Sequence, residues 1–93
     1  MNRVEFLDTA KDCITRDRAA THGKAEQNFD AIARGWDWWL SIRRVGPLTA
    51  YDTAMMMVIF KAARGATNAS HADNMVDLVG YGALAGELGT EDA

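Results

Sequence analysis

An all-α fold, a compact bundle of about four helices, is predicted for this chain of 93 residues. Three observations point there. Helically spaced stripes or, in one case, an all-round apolar run mark four stretches, capping patterns precede three of them, and strand-like alternation is absent.

The first stripe is Val4, Leu7, Ala10 and Ile14, with Phe6 and Cys13 beside it. It predicts a helix from Asn2 to about Ala20, opened by Asn2 with Glu5 three residues on. His22-Gly23 breaks the pattern. A second stripe, Phe29, Ile32, Trp36, Trp39 and Leu40, predicts a helix from about Lys24 to Arg43. Gly46-Pro47 signals a turn, and Thr49 with Asp52 supplies the next capping box. The run from Ala54 to Phe60 is apolar on every side, as expected of a helix surrounded by others, so the third helix should be central. Lys61, Arg64 and Gly65 give it a basic last turn and a glycine stop. After a loop over 65–69, Ser70 and Asp73 cap a fourth helix running to about Leu88, and residues 89–93 should fray. The chain is read as one domain over 1–93.

Composition narrows the function. Hydrophobic residues make up 48% and charged residues 25%, ordinary globular usage with no membrane-length apolar run, so a cytoplasmic protein without membrane contact is expected. One cysteine and two histidines cannot build an internal disulfide or a thiolate–imidazole zinc cluster. A net charge of −3, with both signs mixed along the chain, gives no footprint for a nucleic-acid backbone. A domain this small hides only roughly 60–65% of its unfolded surface. Three tryptophans and a wholly apolar central helix therefore imply a homo-oligomer, a dimer or tetramer, that completes the bundle.

The fourth helix breaks its own rules. Asp73, Asp77 and Tyr81 form an i, i+4 stripe running into Leu84 and Leu88, which is expected to face the core. Two carboxylates one turn apart repel unless a cation joins them. Asp73 could serve as cap or ligand, and the roles are compatible; Asp77 lies too deep in the helix to cap it, leaving a site role or an ion pair. Gly80, Gly82 and Gly86 each cost roughly 1 kcal/mol relative to alanine inside a helix. Either a neighbouring helix approaches them closely or a ligand uses the space beside Asp77 and Tyr81. On the second helix Asn28 points toward apolar company, so its amide needs a partner, whether a helix end or buried water, or a ligand or metal-bound water. Glu26, on the other side of that helix, is as readily exposed as metal-binding. Lys61 and Arg64 suit phosphate contact, although basic residues in a last turn also complement the helix dipole. Asp52 is explained by capping alone, and the tryptophans and methionines first of all fill the core.

The pattern Arg18…His22-Gly23…Asn28-Phe29…Trp36, Leu48-Thr49…Asp52…Lys61…Arg64, His71…Asp73…Asp77…Gly80-Tyr81 resembles phage-encoded proteins without an assigned activity. Those are similar in turn to MazG-like all-α nucleotide pyrophosphohydrolases. The likeness covers roughly Arg18 to Leu88. It implies an oligomeric bundle in which acidic residues hold Mg²⁺, with Mn²⁺ as a substitute, against a nucleoside triphosphate. Water then attacks the α-phosphorus to give a nucleoside monophosphate and pyrophosphate. On this resemblance Glu26, Asp73 and Asp77 are metal ligands, Glu26 and Asp77 catalytic, and Asn28, Lys61, Arg64 and Tyr81 bind substrate. The chain departs from the usual Glu-Glu-x-x-Glu and Glu-x-x-Asp pair of helices: its third helix is apolar after Asp52, and its fourth reads Asn74-Met-Val-Asp77. A non-catalytic nucleotide- or protein-binding regulatory bundle is the alternative. A DNA-binding bundle is disfavoured by the charge, and a His-Asp metal phosphohydrolase by the lack of the dipeptide.

Overall fold

The computed structural model of the chain describes residues 1–17, 25–44 and 46–91, including all of their side chains except those of 16, 17, 25 and 26. The predicted class holds: there are four α-helices, and no strand among the described residues. Helix α1 covers Arg3–Asp12 and continues as a π-helical stretch, Cys13–Asp17. Helices α2 (Ala25–Arg43), α3 (Ala50–Thr67) and α4 (Ala72–Thr90) follow. None of these helices is long and apolar enough to cross a membrane. The His22-Gly23 break and the expected end of the first helix at Ala20 lie outside the described residues.

Each helix starts for a local reason. The Asn2 side-chain oxygen accepts the Glu5 N–H at 2.9 Å, occupying one of the amides that a first turn leaves without partners. At α3 the capping box is complete. Thr49 Oγ1 accepts the Asp52 N–H at 3.2 Å, and the Asp52 carboxylate accepts the Thr49 N–H at 3.1 Å. The box expected at Ser70 does not form. The chain turns through Asn68 to His71, Ser70 Oγ donates to Asn68 Oδ1 at 3.2 Å, and His71 becomes an N-cap without a side-chain capping bond. Gly65 is no stop either: α3 passes through it to Thr67, and α4 continues to Thr90, beyond the expected end at Leu88.

As expected, α3 is central, packed on α2 along one face and α4 along another. The α2–α3 seam is close because Gly35 has no side chain: a Cβ there would run into the Ile59 side chain. Trp36 Nε1 donates to the Met56 carbonyl at 2.8 Å across the same seam. The inward stripe of α2 is Asn28, Ile32 and Trp39, while Phe29 and Leu40, expected inside, are exposed.

Helix α4 is rotated relative to the expected orientation. Its buried residues are Asn74 and Ala85, whereas Asp73, Asp77 and Leu84 are exposed. Small residues set this rotation. Ala85 lets the backbones approach, and the Tyr51 ring lies where a Cβ on Gly89 would be. Gly80, Gly82 and Gly86 have nothing within 4 Å of a notional Cβ, so a neighbouring helix of this chain does not explain them. The first helix is not part of the packed body: every residue of α1 is exposed, including Val4, Phe6 and Leu7.

Candidate functional site

Two polar clusters tie the helices together, and their chemistry differs. The first joins α2 to α3 around Asp52, whose side chain is 0% exposed. Its Oδ1 accepts from Arg43 Nε at 2.8 Å and from Trp39 Nε1 at 3.2 Å; its Oδ2 accepts from Thr49 N and from Thr49 Oγ1 at 2.8 Å. The Arg43 bond, then the Thr49 N–H, holds this carboxyl well below the usual carboxylate range against the opposing pull of burial. Arg43 also lies over the Tyr51 ring, 5.5 Å from its centroid. All of these contacts run within the cluster, so Asp52 has a structural role, as expected, although it does more than cap a helix.

The second cluster joins α3 to α4. Lys61 Nζ, on a side chain 12% exposed, lies 2.8 Å from Asp77 Oδ2, on a side chain 47% exposed. Arg64, one turn further along α3, lays its guanidinium on the Phe60 ring at 4.4 Å. Asp77 and Tyr81 line an open groove of about 510 Å³ along α4, with Val76, Gly80, Leu84 and Glu87. The two basic residues and Asp77, chosen separately from sequence, are thus brought to neighbouring positions. Asp73 stands one turn before Asp77 with its side chain exposed. Neither it nor Asp77 faces the core, because α4 presents Asn74 and Ala85 inward instead. Asn28 is 1% exposed and its Oδ1 accepts from Thr67 Oγ1 at 3.1 Å, so a helix end, among the partners foreseen for it, is met. The Glu26 side chain lies outside the described residues.

Asn74 was missed by sequence reasoning. It is 2% exposed, and its Nδ2 has no hydrogen-bond partner. Buried amide donors rarely stay unpaired, and this one lies a single turn from Asp77. The available signal was an asparagine on the α4 face that also carries Ala85, hidden because the neighbouring aspartates drew the stripe one position aside.

Fold and clusters together define a class: a helical hairpin, α2–α3, extended by a glycine-rich helix whose Asp77 pairs with Lys61 of α3. Comparison makes this particular, for residues 5–89 match the family described as Domain of unknown function DUF6378, and the chain belongs to that family. It is also similar to the Gene 55 protein of Mycobacterium phage L5, at 36% identity over 78 residues, 84% of this chain and 48% of the phage protein. The chain thus spans about half the length of that relative. No solved structure matches it.

Proposed function

We propose that the chain is a Mg²⁺-dependent, MazG-like nucleoside triphosphate pyrophosphohydrolase, converting NTP or dNTP to the monophosphate and pyrophosphate. The observation that carries the reading is the Lys61–Asp77 pair. A largely buried ammonium is held beside a half-exposed carboxylate at the rim of an open groove, with Arg64 one turn away and the unpaired Asn74 amide close along α4. The donor set suits Mg²⁺. That ion is commonly held by one or two carboxylates, with water and substrate phosphate completing an octahedron. Asp77 and Asp73 supply two carboxylates one turn apart, and the resemblance adds Glu26. Among the described residues no three acidic, histidine or cysteine side chains converge, so phosphate oxygens and water would complete the coordination.

Bound Mg²⁺, or Mn²⁺ in its place, would neutralise phosphate charge and favour ionisation of the attacking water. Lys61, with three donors, serves the carboxylate and a phosphate oxygen together, while Arg64 offsets charge on the departing pyrophosphate. Tyr81 and Leu84 form the apolar wall of the groove, Asn28 fixes the end of α3, and on the resemblance Glu26 would act with Asp77 on the water. The test is incubation with a panel of nucleoside triphosphates and Mg²⁺, followed by separation of the products. Monophosphate and pyrophosphate are expected; diphosphate and inorganic phosphate would overturn the assignment. The second reading, a non-catalytic binding bundle, is favoured by one observation, the exposed apolar surface of α4. It would be adopted if no nucleotide turned over. We further propose that the chain forms a homo-oligomer, dimer or tetramer, in the cytoplasm, without nucleic acid or membrane.

A further inference from the structure

Two apolar helix surfaces of this chain are uncovered together, and their charges are opposite. Along α1, Arg3, Leu7, Ala10 and Lys11 share one face at helical spacing, with Ile14 further on and Glu5, Asp8 and Asp12 opposite. That face is apolar and basic, and Leu7 and Ile14 are exposed. Along α4, Val76 and Leu84 are exposed, and the groove they border is edged by the acids Glu87 and Asp77, the latter half-exposed beside Lys61. Gly80 is open to solvent on this same side, which gives a second backbone room to approach.

From this complementarity we propose that α1 of one copy lies along α4 of a second copy, reciprocally, making a two-fold dimer by exchange of the first helix. The inference deepens the proposal of self-association; the partner's helix lies over the groove that the nucleotide reading also uses, so dimer and nucleotide compete for it. The charge spacing fits. Arg3 and Lys11 are separated by about 12 Å of helix, and Asp77 and Glu87 by about 15 Å, a difference that long basic side chains cover. Both ion pairs therefore form in either helix direction, with Leu7 opposite the middle of the groove near Ala83. The occupant is a second copy because, within one chain, α1 is exposed along its whole length while the α4 groove stays open. An isologous contact of this kind closes after two subunits and buries both apolar faces. It also gives a use to Gly80, the open glycine that lines this groove, since the close-packed neighbour that it allows comes from the partner.

The experiment uses two single-cysteine full-length chains, Cys13→Ser with Leu7→Cys and Cys13→Ser with Ala83→Cys. Leu7 lies at the midpoint of its charged pair and Ala83 within one residue of the midpoint of the other, so the direction of docking hardly matters. Mixed under mild oxidation, the chains should give a covalent heterodimer in excess over either homodimer on a non-reducing gel. In parallel, Arg3→Glu with Lys11→Glu should weaken self-association at least tenfold by sedimentation. A dimer that neither cross-links nor responds to charge reversal would overturn the α1–α4 docking while leaving self-association intact. A monomer at micromolar concentration would sink both. A chain carrying both cysteines that closes only on itself would assign α1 to its own α4 and likewise refute the exchange.

Discussion

Asp77→Asn separates a metal ligand from a structural ion partner, and the geometry fixes the size of effect to look for. Asp77 is 47% exposed, so its attraction to Lys61 is screened by water even at 2.8 Å. An asparagine also keeps an oxygen that accepts a hydrogen bond from the Lys61 ammonium. Loss of the charge should therefore cost under about 1 kcal/mol. For a domain this size, that corresponds to a fall in Tm of no more than about 4–8 °C in chelator. Ligand-dependent stabilisation should change far more. At one hundred times Kd, Mg²⁺ with a non-hydrolysable nucleoside triphosphate should add about 2.7 kcal/mol to the wild type. Removing one of two adjacent carboxylates should abolish most of that gain. Thermal melts of both proteins, in chelator and with Mg²⁺ plus analogue, read the two quantities separately. A mutant that melts far lower in chelator yet gains as much as wild type from Mg²⁺ and analogue would refute the assignment of Asp77 as a ligand.

Asp52→Asn should lower Tm at neutral pH, because Arg43 and Trp39 lose their anion. Since the folded state holds this carboxyl below its ordinary value of 3.8, the stability it contributes is present above that pH and lost as pH falls toward the folded value. Wild type and mutant melting curves should thus converge below about pH 4; a constant gap would refute the charge as cause. Gly35→Ala should destabilise by about 1–3 kcal/mol in denaturant titrations, despite alanine's better helix propensity, and Ile59→Leu, which removes the branch at the β-carbon, should restore much of it. Gly82→Ala, with open space around it, should gain about 0.5–1 kcal/mol by the same measurement. Arg44 holds φ 47° just past the end of α2, a left-handed conformation that glycine adopts without strain, so Arg44→Gly should raise Tm.

How much of this was legible depended on whether the signal was local. The Thr49–Asp52 box acts within four residues, and both its presence and its position could be read. What Asp52 also receives, from Arg43 and Trp39, comes from another helix and has no sequence period. The fourth helix misled for a different reason. It is apolar nearly all round, so the stripe Asp73–Asp77–Tyr81 and the stripe Asn74–Tyr81–Ala85 are equally regular, and periodicity does not say which turns inward. Packing chose the side with alanine, whereas sequence reasoning followed the large leucines. Lys61 was visible as a basic residue of a last turn and Asp77 as a carboxylate too deep in its helix to cap it, but their pairing belongs to the tertiary structure. The first helix had a good stripe and an expected place in the bundle. A stripe shows that a face should be covered without showing whether its own chain supplies the cover.

The Arg43–Asp52–Trp39 cluster also bears on the order in which the chain folds. Its longest bond links positions only 13 apart in sequence, across the Gly46-Pro47 connection, and loops of this size close within roughly 10–100 ns. Two helices held by so short a closure make a nucleus that needs no distant segment, and the indole of Trp39 sits inside it as a fluorescent reporter. Helix α4, with Gly80, Gly82, Gly86 and Gly89 in its interior, has weak intrinsic helicity and depends on α3 as a template. Substitutions at Asp52 should accordingly slow refolding, with φ-values near 0.5–0.8, while substitutions at Ala85 should mainly speed unfolding.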